Sequence, residues 1–136
     1  MVQKEDLNTE RKQELYVELK ELDEQIKKMN AHLEQIDSQM ADMNSSRVVV
    51  AKFTDLKKGD ELRVPLASGV YIKASLEDTD KLLVNIGAKV AVEKNPEEVI
   101  ELLDSQIEEL SGYRDTLIGN MKELIKRIEI IQKEFE

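Results

Sequence analysis

Few residues in this chain can do bond-making chemistry, and their spacing does not assemble them. Cysteine is absent, which excludes disulfides and cysteine-ligated metals, and His32 is the single histidine. With no second His or Cys beside it, His32 reads as a solvated side chain. The five glycines form neither a phosphate loop nor a dinucleotide fingerprint, and no serine stands in a nucleophile-elbow pattern. Adjacent carboxylates such as Glu97 and Glu98 sit at the expected start of a helix, where the helix dipole favours negative charge and water solvates it. The sequence therefore points away from an enzyme and calls for no cofactor and no metal. What recurs at fixed intervals is apolar side chains, whose chemistry is burial and binding.

Two long elements must position them. From Leu15 the apolar residues fall at Leu19, Leu22, Ile26, Met29, Leu33, Ile36, Met40 and Met43, in alternating steps of four and three. This is a coiled-coil heptad seam, since an isolated amphipathic helix drifts toward a 3.6-residue repeat. A second seam runs Ile100, Leu103, Ile107, Leu110, Arg114, Leu117, Met121, Leu124, Ile128, Ile131 and Phe135, with Arg114 its one departure. At an apolar seam position such a side chain sets register or meets an acidic residue across the coil, or it snorkels outward, and the sequence favours the last. The methionines on the seams read as core. Asn95, Pro96 and Glu98 mark the second start as cap, first helical residue and capping-box carboxylate. The helices are placed at residues 8–57 and 96–135, the end of the first being least certain because Val48-Val49-Val50 has strand character.

Between the seams the period changes to two. Leu62, Val64 and Leu66 alternate with polar residues and Pro65, and Val70, Ile72, Ala74 and Leu76 follow after a turn at Ala67-Ser68-Gly69. A second pair, Leu82 to Ile86 and Val90 to Lys94, flanks Gly87-Ala88-Lys89. Residues 60–94 are thus expected to form two β-hairpins. Pro65 cannot donate to a ladder and belongs at an edge or a bulge.

The net charge of -9 disfavours nucleic acid, whose affinity rests on Lys and Arg. No stretch approaches the roughly 20 apolar residues of a membrane span, and the first residues lack a signal-peptide core. The chain reads as soluble and cytoplasmic, with no membrane partner.

The fold class expected is α+β: a long antiparallel two-helix coiled-coil hairpin with a central two-hairpin β segment, together one domain over residues 1–136. Four short strands cannot bury their faces alone, and each hairpin leaves edges open. The β segment is therefore expected to oligomerise into a β hub through Leu62, Val64, Leu66, Val70, Ile72, Leu82, Val84, Ile86, Val90 and Val92.

The run Gly59-Asp60-Glu61-Leu62-Arg63-Val64-Pro65-Leu66-Ala67-Ser68-Gly69-Val70-Tyr71-Ile72 resembles the alpha class of the prefoldin family, especially its archaeal members. So do Asp80-Lys81-Leu82-Leu83-Val84-Asn85-Ile86-Gly87-Ala88 and Val92-Glu93-Lys94-Asn95-Pro96-Glu97-Glu98. The two-hairpin insert is the specific part, because the beta class has one hairpin. The resemblance implies an ATP-independent holding chaperone, built as a hexamer of two alpha and four beta subunits. It would take unfolded or nascent proteins and deliver them to a group II chaperonin. The coil tips would meet the client, through Val2, Leu7, Leu15, Tyr16, Val17, Ile125, Ile128, Ile130, Ile131 and Phe135. The alternative is a prefoldin-like scaffolding protein that forms filaments or tethers a specific partner.

Overall fold

The computed structural model describes the backbone of residues 4–135 and the side chains of residues 8–135. Six elements follow in order: α1 (Lys4–Phe53), β1 (Glu61–Ala67), β2 (Val70–Ser75), β3 (Leu82–Asn85), β4 (Ala91–Lys94) and α2 (Pro96–Glu134). They divide into two compact units, one of Met1–Met40 with Glu109–Glu136 and one of Ala41–Glu108. Within the described residues no helix is long and apolar enough to cross a membrane.

In the first unit the heptad seams meet. Leu15, Leu22 and Ile131 are buried, with Leu19, Leu124 and Ile128 packed against them. Ile36 and Leu117 are buried as well. Burying each Leu or Ile contributes about 1.5–3 kcal/mol, which is the main source of stability for two helices whose other faces are charged. Three cross-helix ion pairs, Arg11 with Glu134, Glu18 with Arg127 and Asp37 with Arg114, give the antiparallel sense: as the α1 number rises, the α2 number falls.

In the second unit the α1 seam continues beyond Met43 through Arg47 and Val50, both half-buried. Helix α1 stops at Phe53, short of the expected residue 57. Past the β-branched run Val48–Val50, whose stiff side chains weaken a helix, the amides of Thr54, Asp55 and Leu56 donate to carbonyls three residues back, which tightens and ends the coil. The chain then reverses at Gly59, whose φ of +91° no side-chain-bearing residue adopts readily. Asn95 caps α2 as expected: its side-chain oxygen accepts from the Glu98 amide at 2.8 Å.

Both hairpins form, each as its own two-stranded antiparallel sheet. In the first, Val64 faces Ile72 and Leu62 faces Ala74, and the register shifts between Pro65 and Ala67, so Pro65 borders a bulge. Arg63 and Lys73 face each other on the opposite side. In the second, Val84 faces Val92 and Leu82 faces Lys94. Ile86 and Val90 lie just outside the strands, beside the turn, where the Val90 amide donates to the Gly87 carbonyl at 3.0 Å. Ala88 and Lys89, the two central residues of that turn, have φ of 50° and 63°. Positive φ at both positions is the mark of a type I′ turn, whose twist matches that of the strands it joins.

Candidate functional site

Among the apolar residues that the fold leaves uncovered, one group stands in each unit. In the first unit the first turns of α1 and the residue that follows α2 form a shallow groove lined by Thr9, Lys12, Gln13, Tyr16, Val17 and Phe135. Tyr16 and Val17 are more than half exposed and Phe135 is 39% exposed. Tyr16 and Val17 lie on α1 and Phe135 just past the end of α2, so only antiparallel packing brings them together. Ile125 and Ile130 are also exposed, off the seam of α2.

The residues expected at the tips therefore separate into two groups. Tyr16, Val17, Ile125, Ile130 and Phe135 are accessible. Leu15 and Ile131 are at most 2% exposed, and Ile128 packs against them, so these three are coil core and not available to a partner in the folded state. All three lie on the three-four repeat, which was itself the signal that they pair with each other. Val2 and the Leu7 side chain lie outside the described residues.

In the second unit the ten residues expected to serve assembly also divide. Val64, Leu66, Val70 and Ile72 of the first hairpin are 39–64% exposed. Val64 and Ile72 are a cross-strand pair, and alternation puts Val70 on the same face. Ile86 and Val90 are exposed beside the second turn. Leu62, Leu82, Val84 and Val92 are half-buried, the last two as a facing pair. The exposed set is thus concentrated on the first hairpin and on the turn of the second.

The electrostatics of both units centre on arginine. Arg127 donates to Glu18 through Nε at 2.7 Å and Nη2 at 3.0 Å, a bidentate fork. That hydrogen bond holds the Glu18 carboxyl below the usual carboxylate range. Loss of hydration works the other way, and the charges of Arg127 and Arg11 add to the lowering. Arg114 Nε donates to Asp37 Oδ1 at 2.6 Å. This departs from the outward-snorkelling reading: the seam arginine reaches an acid across the coil. In the second unit Arg47 Nε donates to Asp104 Oδ1 at 2.5 Å, and that hydrogen bond raises the Arg47 pKa further. Sequence reading did not find the Arg127–Glu18 and Arg47–Asp104 pairs, because their partners are about 110 and 60 residues away along the chain.

His32 stands edge-on to Tyr113, ring centroids 6.0 Å apart. Among the described residues no three His, Cys, Asp or Glu side chains are grouped as a metal site. Val48 and Val49, on α1 in the second unit, form a further exposed apolar pair.

Comparison with known proteins agrees with this arrangement. The family profile described as Prefoldin subunit matches residues 6–136. Prefoldin subunit alpha of Thermofilum pendens is 32% identical over 93 residues, 68% of this chain and 72% of that protein. Prefoldin subunit alpha of Methanococcus aeolicus is 29% identical over 124 residues, covering 91% of this chain and 84% of its own. Among solved structures, the cryo-EM structure of a filamentous PFD from Methanocaldococcus jannaschii superposes with a TM-score of 0.76 at 24% identity, over 85% of this chain and 95% of that one.

Proposed function

Because the chain belongs to the prefoldin family, a family of chaperones, and the relatives it resembles are archaeal alpha subunits, we propose that it is an alpha-class subunit of an ATP-independent holding chaperone. Its two-hairpin segment joins it to prefoldin beta subunits, two alpha with four beta, in the cytoplasm. The far end of its coil captures unfolded or nascent proteins, and the assembly passes them to a group II chaperonin.

The observation that carries the reading is the apolar groove where Tyr16, Val17 and Phe135 stand exposed at one end of the coil. Such side chains cost solubility unless they meet a partner. A shallow groove formed from three residues binds weakly, so several arms acting together supply the affinity and each contact still lets go. Release then needs no nucleotide. The exposed face of the first hairpin supports the assembly half of the proposal, since a two-stranded sheet with Val64, Leu66, Val70 and Ile72 uncovered is marginal alone.

The test is light scattering as a chemically unfolded protein is diluted into buffer without ATP, with this chain alone and with a beta-class subunit. Suppression at near-stoichiometric amounts supports the holdase, and a need for the beta subunit supports the alpha assignment. No suppression in either mixture rejects both.

A second reading, a scaffold that polymerises, is favoured by one observation: the solved relative is described as filamentous. Under it, the uncovered hairpin edges of one chain pair with those of the next without closing a ring. Electron microscopy of the purified chain separates the two, by discrete particles or open filaments.

A further inference from the structure

The seam of α1 is apolar without a break from Leu15 to Met43, and that of α2 is apolar except at Arg114. Two apolar seams with the same seven-residue repeat match each other equally well after a slip of one heptad, about 10 Å along the axis. The chain connection does not forbid that slip by itself. Seven residues without regular structure lie between Phe53 and Glu61, and extended chain spans about 3.3 Å per residue.

What distinguishes the registers is the arginines. In the observed alignment Arg114 meets Asp37 and Arg127 meets Glu18. Slipped by seven residues one way, Arg114 would meet position 30 and Arg127 position 11; slipped the other way, positions 44 and 25. Those residues are Asn30 and Arg11, then Asn44 and Gln25. Neither slip puts a carboxylate at the facing position of either arginine, and one sets Arg127 against another arginine. A leucine at position 114 would bury more apolar surface, and replacing an ion pair inside a coil by apolar residues often stabilises it. A single polar residue on a seam is better explained by the selection of alignment than by stability.

We propose that Arg114 and Arg127, with Asp37 and Glu18, form a two-site register code that admits one alignment of α1 against α2. They are positioning residues for the groove: Tyr16 and Val17 come from α1 and Phe135 directly follows α2, so a one-heptad slip would separate them. The inference rests on the proposed role of that groove, but its test does not require a client.

The chain has no cysteine, so introduced thiols are unique reporters. Arg11→Cys with Glu134→Cys replaces a cross-helix pair whose charged tips lie 3.9 Å apart; the backbones behind two such long side chains stand farther apart than a disulfide spans, so a short bis-maleimide cross-link within one chain reports the observed register. We expect this cross-link to form readily in the otherwise unchanged protein, in complex with its partner subunits or alone. Arg114→Leu with Arg127→Leu should keep or raise helical circular dichroism yet lose most of that intrachain cross-link. Reversing both pairs, Asp37→Arg with Arg114→Asp and Glu18→Arg with Arg127→Glu, should restore it. Undiminished cross-linking in the double leucine variant would overturn the code. So would loss of helicity in that variant, which would make the arginines structural, or failure of the reversed pairs to rescue. Client capture that stays low while cross-linking behaves as expected would count against the groove reading and leave the code standing.

Discussion

Arg127 holds Glu18 by two parallel hydrogen bonds across the antiparallel coil, with both oxygens of the carboxylate engaged. The pair has a pH signature. The folded Glu18 pKa is lowered, so its contribution is complete above the unfolded value and is lost as pH falls through the folded value. In thermal melts the parent should exceed a Glu18→Gln variant in melting temperature at neutral pH, by a small margin since both side chains are partly exposed. The gap should close on acidification. A gap that stays constant down to acid pH would show that the carboxylate charge is not what the arginine uses.

The first hairpin offers a direct test of assembly. Val64→Glu with Ile72→Lys puts an attractive pair at facing positions, which keeps the hairpin together while its apolar face becomes charged. Oligomer mass by multi-angle light scattering should fall to that of the single chain, with helical content unchanged. Charged residues at Val84 and Ile86 should also reduce the mass, but Val84 faces Val92 and is half-buried, so that variant damages its own hairpin as well.

Exposed and buried tip residues should behave oppositely. Replacing Tyr16, Val17 and Phe135 by serine should weaken suppression of aggregation severalfold and leave the melting temperature nearly unchanged, because all three are exposed. Leu15→Ala or Ile131→Ala should destabilise the coil by about 2–5 kcal/mol through the cavity it leaves. Equal capture by the triple serine variant would remove the groove from the mechanism.

The turn of the second hairpin is strained by its sequence. Ala88 and Lys89 hold positive φ, which costs a side-chain-bearing residue about 1–2 kcal/mol in the left-handed region. Lys89→Gly should therefore slow amide exchange at Ile86 and Val90, the pair flanking the turn, without changing helical content. Faster exchange would mean that the lysine side chain contributes more than its backbone costs.

Much of this was legible in the chain because periodicity is a local signal. The heptad steps gave both helices and their pairing, and the switch to period two at Leu62 gave the hairpins and the bulge beside Pro65. Local signals failed where the deciding partner is distant. Arg114 looked solvated because nothing nearby in sequence announces Asp37. Leu15, Ile128 and Ile131 looked available because position near a coil end was weighed above membership of the seam. The end of α1 falls before the expected residue 57 because the hydrogen bonds after Phe53 already reach back only three residues, which no local residue pattern announces. The division of the β residues into exposed and half-buried sets was not readable from alternation, which marks a face but not what lies over it.

The joining of Arg11 to Glu134 at the open end of the coil has a mechanical consequence. A polypeptide that grips Tyr16 on one helix and Phe135 on the other, and is then tugged, pulls the strands of the coil apart crosswise. That is peeling and not shear, and peeling loads one turn at a time, so it yields at low force and recloses when the load is removed. The first contacts to part would be the Arg11–Glu134 pair and then the Arg127–Glu18 fork, which act as successive teeth of a zip. A bound chain straining to fold or to leave would thus meet a compliant grip that gives way stepwise.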